Sequence, residues 1–149
     1  MWFMEVNGYK IEPNAELANA ELTNAYLSLV NLTKANLKGA NLTGADLTAA
    51  NLTGATLQEI QSSGANFTGS RLSDANLANA NLTKATFYSA NLTGANLTGA
   101  NLDGANLFYA NFTNANLTSV NLTGADLRFA NLTNANLTGA TMPDGTIHD

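Results

Sequence analysis

The sequence predicts an all-β solenoid, and the main observation behind this prediction is a five-residue period. From Leu17 to Met142 every fifth residue is Leu, Phe or Met, except Ser62. A helix repeats about every 3.6 residues and a strand about every two, so neither element produces this pattern. The chain must therefore turn repeatedly and bring these apolar centres to a common axis.

The four other positions of each unit support the same fold, as residues 90–94 illustrate. Ala90 precedes the centre Leu92 by two places and provides a small inward-facing residue beside the large one. Asn91 and Thr93 flank the centre and are expected to face water. Gly94 accepts a positive φ at little cost, as Asn does in other units. Each unit therefore predicts a turn of type II after its centre.

The chain divides into three segments around this repeat. Residues 1–14 are predicted to form an N-terminal β cap, because apolar Trp2, Phe3 and Val6 precede the hairpin-turn dipeptide Asn7-Gly8. Residues 15–144 form the repeat itself, and residues 145–149 form a C-terminal tail. In that tail only Ile147 is available to plug the last coil.

Composition excludes several classes of protein. The 149 residues carry a formal charge of −5, and the six Lys and Arg residues are scattered singly, so no phosphate-binding patch forms and nucleic acid is not expected as a partner. No stretch is long and apolar enough to span a membrane, and no secretory signal is visible, so a cytoplasmic location is expected. The chain has no cysteine, and therefore no disulfide or thiolate chemistry.

Catalytic, cofactor and metal sites are not expected. The one histidine, His148, lies near the end of the tail without a nucleophile or a second group to orient it. Asp144, His148 and Asp149 could be drawn as metal ligands, but a short Gly-containing tail offers them no supporting shell. An interior filled by Leu and Ala leaves no ligand cavity.

Tandem Ala-Asn-Leu-Thr-Gly units resemble the pentapeptide-repeat family, whose consensus is A-(D/N)-L-x-x. The resemblance covers about nine tenths of the chain. It implies a right-handed quadrilateral β-helix with four pentapeptides per coil. Residues 15–144 would then make about six and a half coils. The amino-acid sequence of the repeats resembles most closely that of bacterial, especially cyanobacterial, members whose role is unassigned.

Sorting the residues by a period of 20 gathers the exceptions to the repeat on one face. We call it the aromatic face; its centres are Leu27, Leu47, Phe67, Phe87, Leu107 and Leu127. Exposed apolar patches often mark contact surfaces, whereas aromatic centres such as Phe67 are most simply core packing. The alternative is that the outward rings merely cover turn backbone and one another. The candidate interaction surface consists of Tyr26, Leu29, Tyr88, Phe108, Tyr109, Arg128 and Phe129.

The function predicted from these observations is a non-enzymatic scaffold that binds an unknown protein partner. Homodimerisation through the aromatic face or through a raw β edge at the C-terminal end is a hypothesis. The irregular segment 58–64, with Ser62 as a centre, is interpreted as a bulge or an internally hydrogen-bonded serine, or else as a recognition bump.

Two alternative functions have weaker support. Some members of the family protect DNA gyrase by imitating acidic duplex DNA, but here Asp46 and Asp126 share one face while Asp74 and Asp103 lie on others. An ice-binding surface is the other alternative. It would use the threonine face, defined by the hydroxyl column Thr33, Thr53, Ser73, Thr93, Thr113 and Thr133.

Overall fold

The computed structural model describes residues 4–149; Met1, Trp2 and Phe3 of the expected cap lie outside the described residues. Two short strands come first, β1 (Met4–Val6) and β2 (Tyr9–Ile11), and they pair antiparallel with Met4 opposite Ile11. Asn7 and Gly8 between them both have positive φ, 52° and 83°, as a type I′ hairpin turn requires. Ile11 is buried against the first coil, so the hairpin covers the start of the core.

The repeat winds into a four-sided β-helix. Single parallel bridges join residues 20 apart along the whole repeat, from Glu16 with Asn36 to Asn121 with Thr141. Because each unit is five residues long, four units complete one coil and each side of the helix carries every fourth unit. No helical segment occurs within residues 4–149.

Every amide of a typical unit has a partner, as residues 91–95 show. The amide of Asn91 donates to the preceding coil at 2.9 Å, and those of Leu92 and Gly94 donate to the next coil at 2.7 and 2.9 Å. The amide of Ala95 closes the turn onto the Leu92 carbonyl at 3.0 Å. The Thr93 amide is left over, and it donates to Oδ1 of Asn91 at 3.0 Å. Coil stacking, the turn and one side chain together satisfy the backbone.

The side-chain contact explains why Asn precedes the centre so often. Oδ1 of Asn91 also accepts a hydrogen bond from the Thr93 hydroxyl at 2.6 Å, and the same pair of bonds recurs on other units. Asp46 serves Thr48 in the same way. These positions face water, as the sequence predicts, and they also fasten the turn, which the sequence alone does not indicate.

In the turns that follow the centres from Leu17 to Leu137, the third residue has positive φ whatever its identity. Gly94 has a φ of 69° and Lys34 one of 57°, in agreement with the type II requirement. Three bulky apolar residues adopt the same conformation, which L-residues with large side chains rarely adopt. They are Leu29, Tyr109 and Phe129, with φ values of 64°, 60° and 59°.

The core consists of stacked centres and alanines. From Leu22 to Phe112 nearly all of the apolar centres are fully buried, and the alanines beside them are almost as inaccessible. Phe67 and Phe87, one coil apart, stack with ring centroids 4.7 Å apart. These aromatic centres therefore pack as part of the core, as expected.

The segment 58–64 keeps the regular path of the coil, so the expectation of a bulge was wrong. Gln61 keeps its parallel bridges to Asn41 and Asn81, and Ser62 is fully buried. Among the described residues its hydroxyl has no hydrogen-bond partner, so the expected internal hydrogen bond does not form there. The fully buried Ile60 stands in an alanine position two residues away and supplies apolar volume that the small Ser62 lacks. This compensation preserves the coil.

The C-terminal end of the core is only partly covered. The tail turns back after Met142 and pairs antiparallel with the last coil through Ile147 and Thr141. Ile147, the residue available to plug the last coil, is 62% exposed, because the hairpin holds it over an edge of the coil. Centres that stay half-buried at this end are Leu127, Leu132, Leu137 and Met142.

That end also presents unpaired backbone groups. In the preceding coils the amides and carbonyls at these positions bond to a neighbouring coil. At the last coil, five amides and three carbonyls have no backbone partner among the described residues. The amides belong to Leu127, Phe129, Leu132, Asn134 and Leu137, and the carbonyls to Ala125, Ala130 and Ala135.

Candidate interaction surface

The C-terminal half of the aromatic face carries a cluster of four rings, Tyr88, Phe108, Tyr109 and Phe129. Within one column Tyr88 stacks on Phe108 at 5.8 Å between centroids, and within the next Tyr109 stacks on Phe129 at 5.2 Å. The columns meet edge to face, with Phe108 and Tyr109 4.5 Å apart. Phe129 is 70% exposed and Tyr109 51% exposed, while Phe108 is half-buried between its neighbours. Mutual packing therefore covers these rings only in part.

Arg128 extends this cluster with a charged group. Its guanidinium lies over the Phe108 ring, 5.3 Å from the centroid, in the geometry of a cation–π contact. The same group donates to both carboxylate oxygens of Asp126, at 2.9 and 2.7 Å. Hydrogen bonds from the guanidinium, and then from the Arg128 amide, lower the pKa of Asp126 to about 2. The guanidinium side chain remains 75% exposed, so the pair forms a fixed polar rim to the rings.

Two predicted residues lie away from the cluster. Tyr26 and Leu29 are 80% and 79% exposed, at the N-terminal end of the aromatic face. Leu29 lies four coil steps before Tyr109 in its column, which at strand spacing is about 19 Å. The structure therefore does not bring the seven predicted residues into one patch. It forms the cluster at one end and an N-terminal pair, Tyr26 and Leu29, at the other.

Small residues separate the N-terminal pair from the cluster. Thr48 and Thr68 occupy one column between them, and Ala49 and Gly69 occupy the next. Asp46 lies beside this low segment and accepts a hydrogen bond from the Ser28 hydroxyl at 2.9 Å. Hydrogen bonds from the hydroxyl and amide of Thr48, with the bond from Ser28, lower the pKa of the Asp46 carboxyl. The aromatic face is thus raised at both ends and low in the middle.

An open cleft of about 320 Å³ adjoins the N-terminal pair. Leu29 and Val30 line it on the side of the first coil, and Met4, Ile11 and Pro13 line it on the side of the hairpin. Glu12, Ser28 and Asn31 also line it, so the recess beside the raised Leu29 is of mixed polarity.

The structure also bears on metal ligands, membrane-spanning helices and the threonine face. Within residues 4–149 no group of His, Asp and Glu side chains is arranged to hold a metal ion. No helix in the described part of the chain could cross a membrane. On the threonine face the hydroxyls of Thr33, Thr53, Thr93, Thr113 and Thr133 each donate to the Asn of their own unit. These hydroxyls are therefore already engaged within the protein.

Comparison with known proteins identifies the family. A family model for pentapeptide repeats matches eight copies, over residues 14–48, 45–83, 70–107 and 110–144. The chain therefore belongs to the pentapeptide-repeat family, as the repeat itself indicated. No curated protein matches the sequence.

Solved structures of the same family show how similar the fold is. HetL, a pentapeptide repeat protein involved in heterocyst differentiation regulation in the cyanobacterium Nostoc sp. strain PCC 7120, is 40% identical, with a TM-score of 0.51. The match covers 91% of this chain and 67% of HetL. AT2G44920, from the Arabidopsis thaliana thylakoid lumen, is 38% identical over 73% of this chain and 69% of its own, with a TM-score of 0.52. The fold is the right-handed quadrilateral β-helix of these proteins.

Proposed function

We propose that this protein is a non-enzymatic scaffold that binds another protein through the aromatic face. The observation that carries the proposal is the exposed ring cluster of Tyr88, Phe108, Tyr109 and Phe129 on a rod whose other faces present mostly Asn, Thr and Gly. Aromatic residues and arginine contribute most strongly to protein–protein interfaces, and Arg128 borders the rings.

Backbone conformation supports this proposal independently. Tyr109 and Phe129 hold positive φ in a turn position that Gly or Asn fills in most other units. A bulky side chain at such a position costs about 1–2 kcal/mol relative to an unstrained backbone. Because the repeat itself does not need these rings, their presence points to a role outside the stability of the rod.

The test replaces the four rings of the cluster with consensus residues of the repeat. The variant Tyr88→Thr, Phe108→Thr, Tyr109→Gly and Phe129→Gly restores consensus residues at all four positions, so the β-helix is retained. Partners would be captured from the native host with the wild-type protein and with this variant, and compared quantitatively. We expect proteins bound by the wild type to be lost in the variant.

A matched control changes four outward residues on another face. Substituting Thr98, Thr118 and Thr138 by Ser and Asn79 by Gly alters the same kinds of position while leaving the rings intact. This control is expected to keep every partner of the wild-type protein. If the two variants and the wild type capture the same proteins in the same amounts, the aromatic face is not the binding surface.

The C-terminal end is a second candidate surface. Its unpaired amides, such as those of Leu127 and Leu132, lie beside half-buried core residues, and a raw β edge can pair with another chain. The tail, however, adds a strand above the coil at Thr141, so two such ends would meet tail against tail or with a gap. This obstruction makes the aromatic face the stronger candidate.

A further inference from the structure

We propose that the aromatic face binds a second copy of this chain, with the two rods antiparallel about a two-fold axis between the coils of Phe67 and Phe87. This inference rests on the proposed function, because it names the partner of the same surface. The evidence is the order of large and small side chains along the rod, together with the positions of Asp46 and Arg128.

The column directly after the centres shows the size pattern most clearly. From the N-terminal to the C-terminal end it contains Ser28, Thr48, Thr68, Tyr88, Phe108 and Arg128. Three small residues are followed by three large ones. A column that is low in one half and raised in the other complements its own antiparallel copy, and self-complementarity is what a two-fold interface requires.

The geometry of the two-fold axis fixes which residues meet. An axis that lies in the contact plane and crosses the rods at right angles keeps each column opposite itself and reverses the order of the coils. Thr68 of one copy then faces Tyr88 of the other, and Thr48 faces Phe108. Each large ring lies over a small residue, and every such contact occurs twice.

The adjacent column of turn residues follows this rule only in part. Its order is Leu29, Ala49, Gly69, Ser89, Tyr109 and Phe129. In the antiparallel pair the large Tyr109 faces the small Ala49, whereas Gly69 faces the equally small Ser89. At the ends of the column Phe129 faces Leu29 and the cleft beside it, so two large apolar side chains meet there. Both strained and exposed ends of this column therefore find apolar contacts on the other copy.

A parallel arrangement of the two rods does not have this complementarity. A two-fold axis along the rods would place the coils of Phe108 opposite one another, and likewise the coils of Thr48. The raised halves would then meet first and hold the low halves apart. The size pattern of the column directly after the centres therefore selects the antiparallel arrangement.

Charge favours the same register. In the antiparallel pair Arg128 lies opposite Ser28, whose hydroxyl is bonded to the Asp46 carboxylate at 2.9 Å. The exposed guanidinium can therefore reach Asp46 of the other copy while it remains paired with its own Asp126. Asp126 in turn lies opposite the exposed Tyr26, whose hydroxyl is a donor. Opposite charges thus meet at both ends of the contact.

The dimensions of the face set the expected strength. Six coils at strand spacing give a contact about 29 Å long, and each face is only a few residues wide. An interface of this size is at the small end of specific association, so we expect reversible dimerisation with a micromolar or weaker dissociation constant. The assembly must be measured as a function of concentration.

The experiment is a charge exchange followed by sedimentation velocity of the full chain from micromolar to near-millimolar concentration. The variants are Arg128→Asp and Asp46→Arg. Both substitutions place residues that the repeat already accepts, since Asp103 occupies the equivalent position of the first and Arg71 that of the second. A control, Lys38→Glu, makes a similar change of charge on a different face.

We expect the wild type and the Lys38→Glu control to dimerise with the same affinity, and each of the other two variants to dimerise at least ten-fold more weakly. An equimolar mixture of Arg128→Asp and Asp46→Arg should regain dimers, because both pairs of opposite charges form again in the mixed species. A parallel or end-to-end dimer gives no reason for this recovery.

Three outcomes would overturn the inference. They are a wild-type chain that stays monomeric over the whole range, a mixture that associates no better than its components, and a dimer that neither single variant weakens. None of these outcomes contradicts binding of a different protein to the aromatic face, which the consensus variant tests separately by capture.

Discussion

Phe129 stacks on Tyr109 from the preceding coil, with ring centroids 5.2 Å apart and ring planes 21° apart. Both residues hold positive φ, which costs each of them about 1–2 kcal/mol. Aromatic pairs of this kind return about 0.5–1.5 kcal/mol each. Within the cluster the two effects are of similar size, so the rings add little to the stability of the rod and are available for binding.

Leu29 has the same backbone conformation without a ring partner. Its φ is 64° and its side chain is 79% exposed. We predict that Leu29→Asn raises the free energy of unfolding by about 1 kcal/mol, because Asn adopts this conformation more readily. Urea denaturation followed by circular dichroism measures the change.

The reverse substitution is the control for Leu29. Asn24 occupies the equivalent turn position one unit earlier, with a φ of 57°, and Asn24→Leu is expected to lower the free energy of unfolding by a similar amount. If Leu29→Asn instead destabilised the protein, Leu29 would be packing in the monomer in a way that its exposure does not indicate.

Two buried serine hydroxyls predict a gain of stability in the core. Ser62 and Ser70 are fully buried, and neither Oγ atom has a hydrogen-bond partner among the described residues. An unsatisfied buried polar group costs about 1–3 kcal/mol. Ser70 stands where most units have Ala, so Ser70→Ala is expected to raise the free energy of unfolding by about 1 kcal/mol.

Thermal and urea unfolding of Ser70→Ala measure this gain, with Ala75→Ser as a matched control that adds a hydroxyl at an equivalent buried position. The control should be destabilised. A loss of stability in Ser70→Ala would mean that the hydroxyl does have a partner, such as an ordered water molecule.

The Asn of each unit is predicted to contribute through its two hydrogen bonds. Asn91→Ala removes the acceptor for both the amide and the hydroxyl of Thr93, and we expect a loss of about 1 kcal/mol in the free energy of unfolding. Asn91→Asp is the control, because Asp46 makes the same two bonds to Thr48. Equal stability of Asn91→Ala and the wild type would show that water replaces the side chain without cost.

The sequence predicted the fold and the protein family because one period determines the position of every centre. Leu92 and Ala90 repeat with few exceptions, so their inward direction follows from spacing alone. The same spacing put Tyr88 and Phe108 on one face. It also grouped Tyr26 with the cluster, although several coils separate them, because a period assigns residues to a face and says less about distance along it.

Interactions that depend on side-chain geometry could not be predicted in this way. The Asn91–Thr93 contact requires knowledge of which amide the coil leaves unpaired, and the regular path at Ser62 depends on compensation by Ile60. The sequence indicated that only Ile147 of the tail is available to plug the last coil. The Asp144-Gly145 turn folds the tail back onto Thr141, which only the backbone path reveals.

The Asp126–Arg128 pair gives a prediction about pH. Arg128 lowers the pKa of Asp126 to about 2, below the value of about 3.9 expected in the unfolded chain. A carboxyl with a lowered pKa stabilises the folded state above its unfolded pKa, and this contribution is lost as the pH falls toward about 2. We expect the free energy of unfolding of the wild type to decrease as the pH is lowered from about 3.9 to about 2.

Arg128→Leu separates the guanidinium from the other causes of this shift. It removes the largest one and leaves the backbone amide of residue 128 bonded to the Asp126 carboxylate, so the pKa of Asp126 should rise while remaining below its ordinary value. Carbon-detected NMR titration of the carboxyl measures it directly. Asp144 also has a lowered pKa, caused chiefly by the hydroxyl of Thr146, so its titration should be unchanged and serves as an internal control. An Asp126 titration that is the same in wild type and variant would show that the guanidinium of Arg128 does not bond to Asp126 in solution and is free to bind elsewhere.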